Sequence, residues 1–183
     1  MSVKKVGVLV GSLRRESYSK KLANNVVTLF PDGYEIECIK IGNLPFYNQD
    51  FDDENNVPTE VVDFRNKLGE FDAFLFITPE YNRSVPAVLK NALDTGSRPK
   101  TENRWGGKPA AIISQSPGGI GGFGANHHLR QSLTCLNMSV LQQPEAYIGN
   151  VATLLDESGS LTNEGTVEFL QKFVAKFVKL IEK

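Results

Sequence analysis

Cysteine, histidine and methionine are scarce in this chain of 183 residues, at two each, and tryptophan occurs once. Cys38 and Cys135 lie far apart, with neither a CxxC pair nor metal-ligand spacing, which excludes a disulfide framework and suits inert thiols in a reducing cytoplasm. His127 and His128 are adjacent, so on a helix they point to different sides and form no i, i+4 metal pair. They read as a surface or subunit contact. No apolar run approaches the ~20 residues that cross a bilayer, which removes the membrane as a partner. The start, Met-Ser-Val-Lys-Lys ahead of Val6 to Val10, mimics a secretory leader, but its apolar run stops at Gly11-Ser12 and reads as a buried strand. A charge excess of either sign is missing too. With 20 Lys+Arg against 21 Asp+Glu, nothing offers a surface to nucleic acid.

What is present is the composition of a folded α/β protein. Hydrophobic residues make up 40% and charged residues 22%, and the length suits a single domain over residues 1–183. The runs Val6 to Val10, Phe74 to Ile77 and Ala110 to Ile113 are continuously apolar, as parallel strands covered on both faces require. Tyr34 to Ile39 and Met138 to Leu141 supply two further strands, and an extended piece near Ala146 to Ile148 has no assigned pairing. Between them lie helical patterns. Ser19 caps a helix carrying Leu22, Val26, Leu29 and Phe30, ended by Pro31-Asp32-Gly33. Val61, Phe64 and Leu68 mark a second, Val85 to Leu93 a third with Ser84 as cap and Pro86 in its first turn, and Asn126 to Leu136 a fourth. Phe169, Leu170, Phe173, Val174, Phe177, Val178 and Ile181 form the core stripe of a last helix over Thr166 to Ile181. Gly42 to Pro58, without apolar period, is a long loop whose Phe46 and Tyr47 could cover a pocket. Alternation of strand and helix gives a doubly wound, five-stranded parallel sheet of order 2-1-3-4-5.

In that topology the winding reverses between strands 1 and 3 and opens a crevice at their carboxyl ends. The first loop there, Gly11-Ser-Leu-Arg-Arg-Glu-Ser-Tyr-Ser19, runs into a helix amino terminus, so free N–H groups, serine hydroxyls and Arg14 converge on an anion such as a phosphate monoester. A tight turn with a serine cap and solvated arginines accounts for the same residues. The second, Thr78-Pro-Glu-Tyr-Asn-Arg-Ser-Val-Pro86, leads into Lys90-Asn91-Ala92-Leu93 and offers hydrogen bonds and an aromatic wall to a flat heterocycle. The third, Ser114 to Gly124, has glycines that permit close backbone approach to a ring, or simple loop flexibility.

Together, Gly11-Ser12-Leu13-Arg14 with Ser17, and Thr78-Pro79-Glu80-Tyr81-Asn82 followed by Ser84, Pro86 and Leu89-Lys90-Asn91-Ala92, resemble the NADPH-dependent FMN reductase family, which includes flavodoxin-like quinone, azo-dye and metal-ion reductases. The resemblance covers roughly Val3 to Gly149. It implies a flavodoxin-like three-layer sandwich, with Ser12, Leu13, Arg14, Ser17, Tyr18 and Ser19 at the FMN phosphate end. Pro79, Glu80, Tyr81 and Asn82 then edge the isoalloxazine, which Ser116 and Gly118 approach from the third loop. It also implies a homodimer, or a homotetramer, with NADPH or NADH as co-substrate and a small-molecule electron acceptor. Three residues depart from the pattern or lie outside it. Ser19 stands where relatives commonly have asparagine, Glu16 puts a carboxylate beside an expected dianion, and Arg83 occupies a variable position.

Rival readings fall on single residues. Gly119-Ile-Gly121-Gly-Phe-Gly124 matches the G-x-G-x-x-G dinucleotide fingerprint, with Glu145 about 20 residues on, but the fingerprint belongs in the first βαβ unit and here follows the fourth strand. Response regulators need acidic residues after strand 1 and a phosphorylatable Asp ending strand 3, where this chain has Gly11-Ser12 and Thr78. A low-molecular-weight phosphatase needs a cysteine in the first loop, and Walker A chemistry needs GK[ST]. An electron carrier of flavodoxin type would use the same FMN site, but such carriers are strongly acidic and this chain has net charge -1. The expectation is therefore a ping-pong reductase. NAD(P)H delivers hydride to flavin N5 and leaves before quinone, azo dye, free flavin or metal ion takes the electrons, and no side chain need act as nucleophile or base.

Overall fold

Strands that are apolar on both faces must be covered on both faces, and the three continuous runs accordingly occupy the middle of the sheet. In the computed structural model, which describes residues 3–183, they are β1 (Lys4–Val10), β3 (Ala73–Pro79) and β4 (Pro109–Gln115). The lead residues Met1 and Ser2 lie outside the described range. With β2 (Tyr34–Cys38) and β5 (Ser139–Val140) the parallel order is β2-β1-β3-β4-β5, as the alternating pattern predicts. The sheet has six strands among the described residues rather than five. The unassigned piece is β6 (Ala146–Ile148), which pairs in parallel with β4 from Ile113 to Gln115, while β5 pairs further back at Pro109 and Ala110. The outer position beside β4 is thus filled by two short strands in succession, each too short to show a period in sequence.

Helices α1 (Tyr18–Val27) and α6 (Glu164–Ile181) cover one face, where Leu22, Val26, Leu170, Phe173 and Phe177 pack on Val6, Val8, Leu75 and Ile77. Helices α3 (Thr59–Gly69), α4 (Ala87–Gly96) and α5 (Phe123–Cys135) cover the other, where Phe64, Leu68, Leu89, Leu93 and Leu129 meet Leu9, Phe74, Phe76 and Ile112. Trp105 is fully buried in this second core, its Nε1 donating to the Leu93 carbonyl at 3.0 Å. The sandwich is the flavodoxin-like one.

Two caps differ from expectation. Ser17, not Ser19, caps α1, accepting from the Lys20 N–H at 3.2 Å, because the extended backbone at residue 17 aims its Oγ back at that amide. Ser84 does not cap α4; Pro86 is the residue preceding the helix, and Ser84 closes a turn upstream. Leu29 and Phe30 lie beyond α1 but still pack on the core.

The stretch from Gly42 to Pro58 is more ordered than its composition suggests. It contains a one-turn helix, α2 (Asp50–Asp53), and is fastened at two places. Asn91 on α4 accepts from the Tyr47 N–H at 2.8 Å and donates to the Pro45 carbonyl at 2.9 Å. Arg65 on α3, itself buried, donates to both Asp52 carboxylate oxygens at 2.6 and 3.0 Å and to the Thr95 carbonyl at 3.0 Å. The Tyr47 hydroxyl also donates to Asp52, at 3.3 Å, so the loop holds this ring beside a small cavity lined by Asp52, Arg98 and Lys100. Phe46, between the Asn91 bonds, stands 79% exposed.

The Arg65 hydrogen bonds hold the Asp52 carboxyl below the usual carboxylate range, so the stabilisation is complete at neutral pH and lost as pH falls through the folded pKa. Removing one partner of a buried pair costs about 3–5 kcal/mol. Asp52→Ala is expected to lower urea stability by about that much at pH 7, and the gap from the parent protein to narrow as pH falls from about 4, the ordinary carboxyl value of the unfolded chain, toward the lower folded value.

Candidate functional site

The carboxyl ends of β1, β3 and β4 carry three loops that meet. At the base of the first, the Gly11 N–H donates to the Ile77 carbonyl at 2.8 Å, and a Cβ on Gly11 would come within 2.9 Å of Thr78 Oγ1. Only glycine lets the β1 and β3 ends approach this closely.

Beyond it, no backbone N–H from Ser12 to Ser19 donates to an acceptor among the described residues. These amides lead into the amino terminus of α1, which has no acidic residue in its first turn. Ser12 and Ser17 are buried, and the Arg14 guanidinium pairs with no described carboxylate. A row of unpaired donors at a helix amino terminus is the arrangement that receives a phosphate. Glu16, the carboxylate out of keeping with that, turns away and pairs with Lys21 at 3.0 Å. Ser19 is fully buried and faces inward, its Oγ accepting from Gln115 Nε2 at 2.8 Å. It braces α1 against β4 instead of opening on the loop. Tyr18 is partly buried and packs on the α1–α6 core, and Leu13 is exposed.

The second loop is a hairpin turn. Tyr81 and Ser84 exchange both backbone hydrogen bonds, at 3.1 and 3.0 Å, around Asn82 and Arg83, whose φ values are 51° and 64°. Two successive left-handed residues define a type I′ turn, which asparagine tolerates and arginine enters at some cost. Glu80 does not point into the crevice. Its Oε2 accepts from the Ala125 N–H at 3.0 Å in the first turn of α5, and its Oε1 from Arg83 at 3.0 Å. This part-buried carboxylate caps α5 and locks the second loop to the third. Gly124 permits the approach, since a Cβ there would lie 2.9 Å from both Glu80 Oε2 and the Arg83 carbonyl. Pro79 is buried at the end of β3, while Tyr81 and Asn82 are exposed.

The third loop shows why G-x-G-x-x-G occurs so late in the chain. Gly121 and Gly122 have φ values of 66° and 76°, and a Cβ on Gly121 would come within 2.6 Å of the Tyr147 carbonyl carbon. The glycines let this loop lie on the end of β6. Ser116 donates its N–H to the Ile148 carbonyl at 3.0 Å, and its Oγ accepts from the Gly118 N–H at 3.0 Å, which fixes Gly118 at the exposed rim. Glu145, the would-be ribose acceptor of the fingerprint, instead pairs with Arg130 at 3.6 Å.

Sequence reasoning passed over two groups. Asn126 is fully buried, donates to Ser114 Oγ and the Ala146 carbonyl and accepts from Arg130, so it ties β4, β6 and α5 together beneath the third loop. Gln115 is the other, with an Oε1 that is buried and has no hydrogen-bond partner in the structure. Neither has a motif around it. The histidines behave as expected of surface groups: His127 Nε2 lies 3.0 Å from the Tyr147 hydroxyl and His128 Nδ1 3.0 Å from Ser84 Oγ. Burial, followed by the Glu145 carboxylate, pushes the Tyr147 phenol up to about 12, so it stays protonated. The described residues hold no group of three or more potential metal ligands, and no described helix is long and apolar enough to cross a membrane.

Known proteins resemble the chain along nearly its whole length. A quinone reductase of Pseudomonas putida is 52% identical over 178 residues, spanning 97% of this chain and 94% of the relative. A 2-hydroxy-1,4-benzoquinone reductase of a Burkholderia species is 43% identical, over 94% and 93% of the two chains. Among solved structures, the flavoenzyme NAD(P)H:(acceptor) oxidoreductase of Paracoccus denitrificans superposes with a TM-score of 0.91 at 43% identity, covering 98% of each chain. The family model for NADPH-dependent FMN reductases matches residues 4–153, and the chain belongs to that family.

Proposed function

We propose that the three loops hold FMN and that the protein passes electrons from NADPH or NADH to quinones, and by the same route to azo dyes, free flavin or metal ions. The observation that carries this is the run of unpaired N–H groups from Ser12 to Ser19 at the α1 amino terminus, beside a second loop fixed rigidly to a third. The residues present fit the group: phosphate donors stand at one end of the crevice and an edge built for a flat ring at the other. FMN would supply the hydride and electron transfer chemistry at its ring N5.

The chain's own part is binding and orientation. Ser12 and Arg14 donate to the phosphate with the amides of Leu13 to Tyr18, Ser17 being committed partly to its cap. Pro79 to Asn82 edge the ring with backbone groups, because the Glu80 side chain is spent on α5. Gly118 offers backbone at the opposite rim, set by Ser116. Ser19 acts from behind, through Gln115. Tyr81 and Phe46 limit acceptor size at the open side.

Leu13, Phe46, Tyr81, Ile120 and Phe123 are exposed large apolar residues that follow β1, β2, β3 and β4 at the carboxyl end of the sheet, which supports pairing with a second copy in a homodimer or, by further pairing, a homotetramer. The free thiols of Cys38 and Cys135 support a cytoplasmic location, and one sheet shared by both cores supports a single domain over residues 1–183.

The purified protein is expected to show a flavin spectrum and to oxidise NADPH on addition of a benzoquinone; a colourless protein, or no turnover with any acceptor, would sink the proposal. Arg14→Ala is expected to weaken FMN affinity roughly tenfold or more without changing the melting temperature of the flavin-free protein, as loss of one charge-assisted contact does. Flavin release on ultrafiltration measures it. Phe46→Asp should shift the species seen by light scattering toward monomer while leaving the far-UV circular dichroism of the folded protein unchanged.

A further inference from the structure

On the far side of the first loop from the crevice, toward β2, lies a cavity of about 750 Å³, within the range of small-molecule sites. Val10 and Ala23 form one wall and Ile39 and Ile41 the other. Leu13 forms the rim, lying so close over Gly42 that a Cβ on Gly42 would be 2.9 Å from Leu13 Cδ2. The walls are apolar, but what edges them is not. The amides of Asn24 and Asn43 line the cavity and make no side-chain hydrogen bond among the described residues. Lys20 and Lys40 line it as well, no carboxylate does, and neither lysine forms an ion pair with a described carboxylate. Lys20 Nζ is held over the loop by the Leu13 carbonyl at 3.4 Å.

We propose that this cavity receives an adenosine 5′-phosphate moiety, with the purine between Val10/Ala23 and Ile39/Ile41 and the phosphate toward Lys20 and Lys40. The apolar lining suits a flat, largely apolar ring. Free carboxamides match the donor and acceptor edge of adenine, as asparagine does in bidentate pairing with that base. Two lysines without carboxylate partners supply the charge that a phosphate needs. Because Ser12 and Leu13 border both this cavity and the phosphate loop, the proposal rests on, and deepens, the FMN assignment of that loop. The moiety has two possible sources: the adenylate end of NAD(P)H, or that of FAD bound in place of FMN.

Cys38 lines the cavity and supplies a direct readout. Its thiol is pushed up by burial and then by Glu37, so labelling is best followed at mildly alkaline pH. In a Cys135→Ser variant, 5′-AMP at ten times its dissociation constant should slow maleimide labelling of Cys38 roughly tenfold, as occupancy requires. Inorganic phosphate should not. Asn24→Leu and Lys40→Glu should each abolish the protection while the urea midpoint and the flavin spectrum stay unchanged. Protection of FMN-loaded protein by NADP⁺ assigns the site to the co-substrate. Tighter binding of FAD than FMN by apoprotein, with the difference erased in Lys40→Glu, assigns it to the flavin. Labelling that 5′-AMP leaves unchanged overturns the proposal, and protection by a decyl-quinone alone overturns it in favour of an acceptor tail. A missing flavin spectrum would count against the FMN assignment only, since protection by 5′-AMP reads this cavity independently.

Discussion

A parallel sheet buried on both faces permits connections only at its ends, and each helix must return along one face before the next strand begins. In this protein the direction of winding reverses between β1 and β3, so the chain leaves these adjacent strands toward opposite faces. Nothing else in the fold can fill the space between the two departing loops. The unpaired amides of Ser12 to Ser19 follow from that reversal: the loop meets α1 from outside the sheet, and no neighbouring strand brings carbonyls within reach.

Rigidity has to be built around such a gap, and it is built from buried polar groups. Glu80 spends its carboxylate on the first turn of α5, and Asn126 ties α5 to β4 and β6. Gln115 reaches across the sheet to Ser19 on α1. Glu80 follows β3, Gln115 ends β4 and Asn126 stands on α5, so three neighbouring elements organise the crevice together. Each bond lies in a low-dielectric setting where an unpaired partner is costly, which makes the loops' relative positions a property of the core.

The sheet order, both helical layers and the place of the crevice were legible in the sequence because apolar runs and helical spacing report directly on burial. The segments that form the loops after β1, β3 and β4 were legible as loops. Individual side-chain roles within them were not, because residue type does not reveal direction. Ser19 and Glu80 look like ligands in the one-dimensional motif, yet one faces Gln115 and the other α5. Glu16 looked out of keeping with an anion site until its pairing with Lys21, a partner five residues away on the next turn, accounted for it. The extended piece at β6 was legible but its pairing was not, because a three-residue strand shows no period and its partner β4 lies more than 30 residues earlier. Caps at Ser17 and Pro86 were each missed by two positions, the scale on which helix ends are decided by single dihedral angles.

The Asn91 clamp has a further consequence. Both of its hydrogen bonds go to backbone atoms, at Pro45 and Tyr47, and so they read no side chain in the segment they hold. The residue between them, Phe46, can be exchanged for one of another size or polarity without altering the path of the chain that presents it. A rim position whose chemistry is uncoupled from its scaffold is a place where one substitution retunes what meets the protein at that edge, at almost no expense to folding.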